Sequence, residues 1–470
     1  MNLPEEFLQY TRTLMGEELF SRLTCGLATE PPVSIRLNPY KCSAAKADIP
    51  CEEESVPWCD TGLYLKERPN FTFDPLLHAG LYYVQEASSM FLHHVLKQFI
   101  TEPVTMLDLC AAPGGKSTVA RAALPEGSLL ISNEPMRTRA QILSENIQKF
   151  GHPDVIVTNN YPADYKKTKL QFDVILTDVP CSGEGMFRKD EGAVAEWSAQ
   201  NVDNCWRKQR EIVSDIWECL KPGGLLIYST CTFNAKEDEE NVAWIASELG
   251  AEVLPVNISE EWNITGALID GHPVYRFLPG KTKGEGLFMA VLRKHGEAPD
   301  LYAKDKGKKN KERNKQQKIS IKPNPAWIRN HEQYEIKEQK DSSFIAISKE
   351  FSHTYDIISN SLKVIHAGIK LGELKGKDII PDQSLALSIM LNPEAFPCAE
   401  LTYLQAISYL RKEAVTLPQG TPTGFVLMTY KGIPLGFEKN IGNRANNLYP
   451  AEWKIKSTHI PDGKNEIIKI

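Results

Sequence analysis

The sequence predicts an α/β protein built on a parallel, doubly wound sheet, with a small α+β module before it and an α+β region after it. Three observations carry that expectation. Between residues 104 and 249 short apolar runs alternate with amphipathic helical stretches, the pattern of βαβ units. The first of those runs passes through a glycine-rich loop straight into a helix. The composition changes abruptly after Lys294, where lysines crowd a stretch almost free of large apolar residues.

At 470 residues the chain exceeds one ordinary domain. Its 42% hydrophobic and 24% charged residues are globular values. A net charge of −6 does not advertise a nucleic-acid binder, although an average hides a basic face. No apolar run reaches the roughly 18 residues of a membrane span, and the N-terminus lacks a basic-then-apolar signal. The ten cysteines show no CxxC spacing and no neighbouring histidine cluster, so no zinc or other metal is expected. Free thiols fit a reducing compartment. The expectation is a cytoplasmic monomer without a membrane or DNA partner.

Residues 4–25 read as a helix with an irregular apolar face, ended by Pro31-Pro32. Val33–Pro39 and Gly62–Leu65 read as short strands, and the acidic stretch around Pro50, Cys51, Pro57 and Cys59 as loop. Gln85–Met90 opens a helix carrying Phe91, Val95, Leu96 and Phe99. Five strands follow, at 104–109, 128–134, 154–158, 172–178 and 225–230. Helices are expected over Met136–Phe150, Gln209–Leu220 and Glu237–Leu249, the second stopped by Lys221-Pro222-Gly223-Gly224. A later strand covers 286–292. Lys304 to Lys318 read as a solvated basic linker or a tether that touches phosphates. Beyond it, 361–365 and 368–376 read as strands and turns, Leu401–Lys412 as a helix, and Gly424–Tyr430 with Ile433–Phe437 as a hairpin.

The chemistry concentrates at strand ends. Cys110-Ala111-Ala112-Pro113-Gly114-Gly115-Lys116-Ser117 leaves the first strand and enters a helix, a setting for a nucleotide-like ligand at a helix N-terminus. It is neither GxGxxG nor a Walker A loop. Glu134, ending the second strand, is placed to accept from ribose hydroxyls. Together they suit S-adenosylmethionine; the plain alternative is a tight turn with a capping acid. The fourth strand ends in Asp178, followed by Val179-Pro180-Cys181-Ser182-Gly183-Glu184-Gly185, and the fifth runs into Cys231. Read alone, Cys181 is a candidate nucleophile. Two thiols and an acid beside a methyl donor suit methylation of a pyrimidine at C5: a thiolate adds to C6 and makes C5 nucleophilic. An acid near N3 and the exocyclic amine stabilises the adduct. Such a base must leave its stack.

At these residues the chain resembles the Nol–Nop–Sun family of RNA (cytosine-5) methyltransferases. The shared motifs are Asp108-Leu109-Cys110-Ala111-Ala112-Pro113-Gly114-Gly115-Lys116, Asp178-Val179-Pro180-Cys181-Ser182-Gly183-Glu184-Gly185 and Tyr228-Ser229-Thr230-Cys231-Thr232, supported upstream by Ser34–Asn38 and Tyr83–Ser89. The resemblance covers roughly 1–294. The C-terminal region, including Gly424–Gly436 and Asn447-Leu448-Tyr449-Pro450, resembles the bacterial 16S rRNA branch of RsmF (YebU) type, whose tail ends in a PUA-like module. The resemblance implies a Rossmann-like class I methyltransferase domain using S-adenosylmethionine on 16S rRNA in the decoding region of the small ribosomal subunit. It implies that Cys110, Ala111, Ala112, Pro113, Gly114, Gly115, Lys116, Glu134, Arg139 and Asp178 surround the cofactor. It further implies that Asp178 contacts the base, Cys231 attacks it and Cys181 assists release. One position departs: where an acid is common near the adenine, this chain has Asn159-Asn160-Tyr161-Pro162. Arg188 and Lys189 read equally as phosphate contacts or a solvated basic pair.

The expected organisation is an N-terminal α+β module (1–80), a methyltransferase domain (81–295), a basic linker (296–322), an intermediate α+β region (323–395) and a PUA-like RNA-binding domain (396–470). Two rivals stand beside it. One is the same enzyme acting on tRNA, separable by mapping methylcytidine in total RNA. The other is a non-catalytic rRNA-binding assembly factor, which would bind cofactor without turnover.

Overall fold

The computed structural model describes residues 3–42, 47–269, 271–296, 321–457 and 463–469. The expected basic linker falls largely on 297–320, outside the described residues. The core of the molecule is a nine-stranded sheet. Its strands are β1 (Thr105–Asp108), β2 (Leu129–Asn133), β3 (Val155–Thr158), β4 (Phe172–Asp178), β5 (Leu220–Thr230), β6 (Ala251–Leu254), β7 (Tyr275–Phe277), β8 (Leu287–Lys294) and β9 (Val364–Ala367). The order is β6-β8-β5-β4-β1-β2-β3-β9, with β7 paired to β8.

Strands β1 to β5 are parallel. Leu107, Ile131, Ile175 and Ile227 are fully or almost fully buried, as in strands covered on both faces. The helices α1 (Gly115–Ala123), α2 (Arg137–Phe150), α3 (Ala199–Trp217) and α4 (Glu239–Glu248) connect them or follow β5. The strand order reverses at β1, with β2 on one side and β4 on the other. Ligands of such sheets sit in that crevice, outside the carboxyl ends. The sheet departs from the parallel expectation at both margins: β8 runs antiparallel to β5, β6 and β7 run antiparallel to β8, and β9 runs antiparallel to β3. Among the described residues no α-helix lies between β6 and β8, so nothing carries the chain back for a parallel crossover.

Three element boundaries differ from the sequence reading. Glu52–Ser55, read as loop, is an edge strand with mostly exposed side chains. A charged edge discourages stray pairing but erases the apolar alternation that signals a strand. Helix α3 begins at Ala199 rather than Gln209, because Ser198 caps it by accepting from the Asn201 N–H at 3.1 Å. Lys221-Pro222-Gly223-Gly224 does not stop a helix; it lies inside β5, whose Leu220 already pairs with Phe172 across an irregular register. The first helix, Glu5–Leu27, is also broken at Gly16, where φ is 72°.

The N-terminal sheet orders its strands Glu52–Ser55, Gly62–Leu65, Val33–Leu37 and Tyr82–Val84, the last lying past residue 80. Its apolar face shares one core with the C-terminal region: Ile35, Leu37, Phe73 and Leu76 pack in a cluster with Tyr403, Tyr409, Val426 and Met428. Tyr403 Oη donates to Phe73 O at 3.0 Å, and the Ile467 N–H donates to Asp74 Oδ2 at 3.0 Å. Residues Gly424–Tyr430 and Ile433–Asn440 form the expected hairpin. Lys431 and Gly432 supply positive φ at both turn positions, 52° and 72°. The region between carries its own four-stranded sheet, yet β9 leaves it and pairs antiparallel with β3.

Candidate active site

The carboxyl ends of β4 and β5 bring together residues far apart in the chain. Asp178 pairs with Ser229 in register, so the loops after both strands leave the sheet side by side. The Cys181 and Cys231 sulfurs are 2.9 Å apart, and the Cys231 N–H points at Cys181 Sγ at 3.4 Å. Gly185 N–H donates to Cys231 O at 2.7 Å. That approach needs glycine, since a Cβ at 185 would lie 2.7 Å from the same oxygen.

Two buried acids lock these loops. Glu184 Oε2 accepts from Thr232 Oγ1 at 2.6 Å, Phe233 N at 2.6 Å and Asn234 N at 3.0 Å. Its Oε1 accepts from Trp197 Nε1 and Asn234 Nδ2, both at 3.0 Å. Glu237 reaches the other way, accepting from Ser182 N at 3.0 Å, Gln209 Nε2 at 2.7 Å and Asn234 Nδ2 at 2.8 Å. The loop after β4 is thereby bound to the loop after β5 through side chains that neither touch solvent nor carry the reactive sulfurs.

Hydrogen bonding to the Cys231 sulfur, with burial added, pushes the Cys181 thiol well above the ordinary thiol range. One of the two sulfurs donates to the other across that contact. Burial and the neighbouring Glu184 push Glu237 up to about 7. Asp178 is tied at both oxygens: Lys116 Nζ donates to Oδ2 at 2.9 Å and Ser229 Oγ to Oδ1 at 2.7 Å. Burial works against the charge on Lys116, but Asp178 outweighs it and the ammonium is held above its usual range. Lys116, expected only beside the cofactor, thus also belongs to the cysteine side.

The loop Cys110–Lys116 is shaped by its backbone. Ala111 N–H donates to Asn133 O at 2.8 Å, while Arg139 Nη2 and Asn146 Nδ2 donate to Ala112 O and Pro113 O at 3.0 and 2.8 Å. Gly114 has φ 115°, which admits glycine readily, and delivers the chain to the first turn of α1. Burial pushes the Cys110 thiol up, so it is no rival nucleophile. Asp108, unassigned by the sequence reading, is fully buried, and its Oδ1 has no hydrogen-bond partner while Oδ2 accepts from Ser117 Oγ at 2.6 Å. Burial pushes it up to about 7. An open buried acceptor suits a cationic donor. Glu134 accepts from Met136 N at 2.9 Å and lies 3.5 Å from Arg139 Nη1, which leaves lone pairs for a diol.

Arg188 and Lys189 are not a solvated pair but share one buried acid. The Arg188 side chain is 4% exposed and meets Glu285 at 2.6 Å, and Lys189 reaches the same acid at 3.0 Å. Glu184 and Glu237 escaped the sequence reading although Glu184 sits inside a quoted motif; nothing in linear order says that an acid there will face residues 232–234. Among the described residues one group has metal-ligand spacing, Cys59, Asp60 and His93, with donor atoms within 4.8 Å. They satisfy one another and a neighbour: His93 Nε2 lies 3.3 Å from Asp60, and Cys59 3.5 Å from Thr61 Oγ1. Among the described residues no helix is long and apolar enough to cross a membrane.

Comparison with known proteins fits this geometry. A family model described as 16S rRNA methyltransferase RsmB/F matches residues 98–293. Models of the N-terminal domain of 16S rRNA methyltransferase RsmF and of the methyltransferase RsmF PUA domain match 3–87 and 396–455. The ribosomal RNA small subunit methyltransferase F of Aliivibrio fischeri is 31% identical over 473 residues, covering 96% of this chain and 97% of its own. The chain belongs to that family. The protein of the same name from Escherichia coli O9:H4 is 30% identical over 471 residues, covering 96% of each chain. Among solved structures, a methyltransferase homolog from Pyrococcus horikoshii has TM-score 0.53 at 24% identity, covering 62% of this chain and 95% of its own. NSun6 from the same organism, determined with SFG, has TM-score 0.53 at 20% identity, covering 63% and 99%. These likenesses establish a shared fold. Strand β9 lies outside all three matched stretches.

Proposed function

We propose that this family member methylates cytosine at C5 in 16S rRNA through a covalent bond between Cys231 and C6 of the base. The observation that carries the reading is the pair of sulfurs 2.9 Å apart, beside an acid fixed at both oxygens. The names of the relatives and the PUA match at 396–455 support small-subunit rRNA as substrate. The protein acts in the cytoplasm as a monomer.

S-adenosylmethionine would be held by the loop Cys110–Lys116, by Glu134 and Arg139 at its ribose, and by the open oxygen of Asp108 at its ammonium. When bound, it supplies an electrophilic methyl group. The residues of this chain do the rest. Asp178 accepts from the exocyclic amine of the base while Lys116 and Ser229 keep its oxygens oriented. The Cys231 thiolate forms the S–C6 bond, and the C5–C6 electron pair becomes available at C5. Bond formation removes the charge on the Cys231 sulfur, and with it the acceptor that keeps Cys181 protonated. Cys181 can then release its proton to water and, as a thiolate, take the C5 proton. The C5–C6 double bond re-forms as S–C6 breaks, and Cys231 leaves as thiolate.

The test uses labelled S-adenosylmethionine and small subunits lacking the mark. Cys231→Ala should transfer no methyl group. Cys181→Ala should accumulate a protein–RNA complex that survives denaturing electrophoresis. Full activity of Cys231→Ala, or no complex with Cys181→Ala, would sink the assigned roles.

A further inference from the structure

The asparagines that stand where an adenine-contacting acid was expected have another partner. Strand β9 runs antiparallel to β3, with Val364 opposite Thr158. Its leading residue, Lys363, therefore sits at the carboxyl edge of the sheet, the edge that carries Glu134. The Asn159 N–H donates to Lys363 O at 2.9 Å. Asn160 Nδ2 donates to the same oxygen at 3.1 Å, and the Lys363 N–H donates to Asn160 Oδ1 at 3.0 Å. Lys363 Nζ donates to Asn159 Oδ1 at 2.8 Å.

The same two asparagines hold the cofactor side. Asn159 Nδ2 donates to Glu134 O at 2.8 Å and to Pro135 O at 2.9 Å. Asn160 O accepts from Asn133 Nδ2 at 2.9 Å, and that amide also donates to Leu109 O at 3.0 Å. An amide matches the N–H and C=O of one residue at once; a carboxylate would turn an acceptor toward Lys363 O. Asparagine at 160 is thus the residue that can latch this backbone. Two large apolar side chains stay exposed beside the latch, Met136 at 57% and Tyr161 at 69%. Exposed apolar surface next to a polar edge suits a flat heteroaromatic ring.

We propose that Lys363 and the turn leading into β9 form the outer wall of the adenine end of the cofactor site. Cofactor binding and the seating of the 323–395 region are then one linked equilibrium, and each strengthens the other. This rests on the methyltransferase reading above and extends it to a segment outside the matched methyltransferase stretch.

The experiment measures S-adenosylhomocysteine binding to the full chain by calorimetry, without RNA, and hydrogen exchange over residues 352–367. Asn160→Ala should weaken binding about tenfold, as expected for two hydrogen bonds lost at a ligand edge, and Lys363→Ala should weaken it by about threefold. Lys363 is exposed, so its truncation leaves the fold intact. In the unaltered protein the ligand should slow exchange over 352–367, and Asn160→Ala should lose that response while the hairpin at 424–440 stays unchanged. Equal affinities for all three proteins, or exchange over 352–367 indifferent to ligand, overturn the inference and leave the methyltransferase reading standing. Failure of the unaltered protein to bind overturns both.

Discussion

At β1 and β2 the ligand edge is drawn by backbone; at β4 and β5 it is drawn by buried acids. The loop Cys110–Lys116 offers carbonyls to Arg139 and Asn146 and donates its Ala111 N–H to Asn133 O, and its shape comes from Gly114. Arg139, which reaches it from α2, is half exposed. At the ends of β4 and β5 the edge changes character. Glu184 alone collects five donors, and Glu237 binds the loop of Cys181 to that of Cys231. The difference follows from the task. A cofactor is bound by many weak contacts and tolerates small displacement of any one. Two sulfurs that act on adjacent carbons of one base in the proposed reaction do not, because catalytic groups lose efficiency when displaced by even about 1 Å. Rigid placement at β4 and β5 is obtained by giving buried acids more donors than a water-exposed side chain could keep.

The largest expected effect separates the two ends outright. Cys231→Ala should remove methyl transfer while S-adenosylhomocysteine binds with unchanged affinity in calorimetry. Parallel loss of both would mean that the ends are one unit. Next comes stability. Glu184→Ala strands the Phe233 and Asn234 N–H groups and Trp197 Nε1, and should lower the unfolding free energy by about 3–5 kcal/mol in urea titration. Arg139→Ala, at the exposed end, should cost less than about 1 kcal/mol in the same titration and appear instead as weaker cofactor binding. Similar stability losses for the two variants would erase the contrast.

The smallest effect is a shared one. Each end holds an acid that burial pushes up to about 7, Asp108 at β1 and Glu237 beyond β5. Between the ordinary carboxyl range and about 7 the folded chain binds more protons than the unfolded chain. Stability from these groups is therefore complete at low pH and lost as pH rises through about 7. Unfolding free energy should fall between about pH 4 and pH 7, and Glu237→Gln should flatten part of that slope. A slope unchanged by Glu237→Gln would remove Glu237 from this account.

Much of the frame was legible in the residues. Apolar runs such as Phe172–Asp178 mark buried parallel strands without ambiguity of face, and Gly114 marks a turn that a side chain would obstruct. Boundaries were lost where the signal is polar. Helix α3 opens with Gln200, Asn201 and Asp203, which carry little apolar period. The Pro222-Gly223-Gly224 run looks like a helix stop but is absorbed by a strand irregularity. Arg188 and Lys189 read equally as phosphate contacts or a solvated pair, because the buried acid that binds them, Glu285, lies almost a hundred residues on.

The sequence by itself determined which local elements form and which strand ends carry acids and thiols. Those properties depend on residues within one or two turns or strands of each other, where periodicity and glycine conformation act directly. Tertiary structure decided which of those ends meet. It set two sulfurs 2.9 Å apart across fifty residues, gave the N-terminal sheet and the C-terminal hairpin a common core, and sent β9 out of its own region to β3. Each of these contacts closes a long loop, so its existence depends on how the whole chain packs and not on any stretch that a reader of the sequence can isolate.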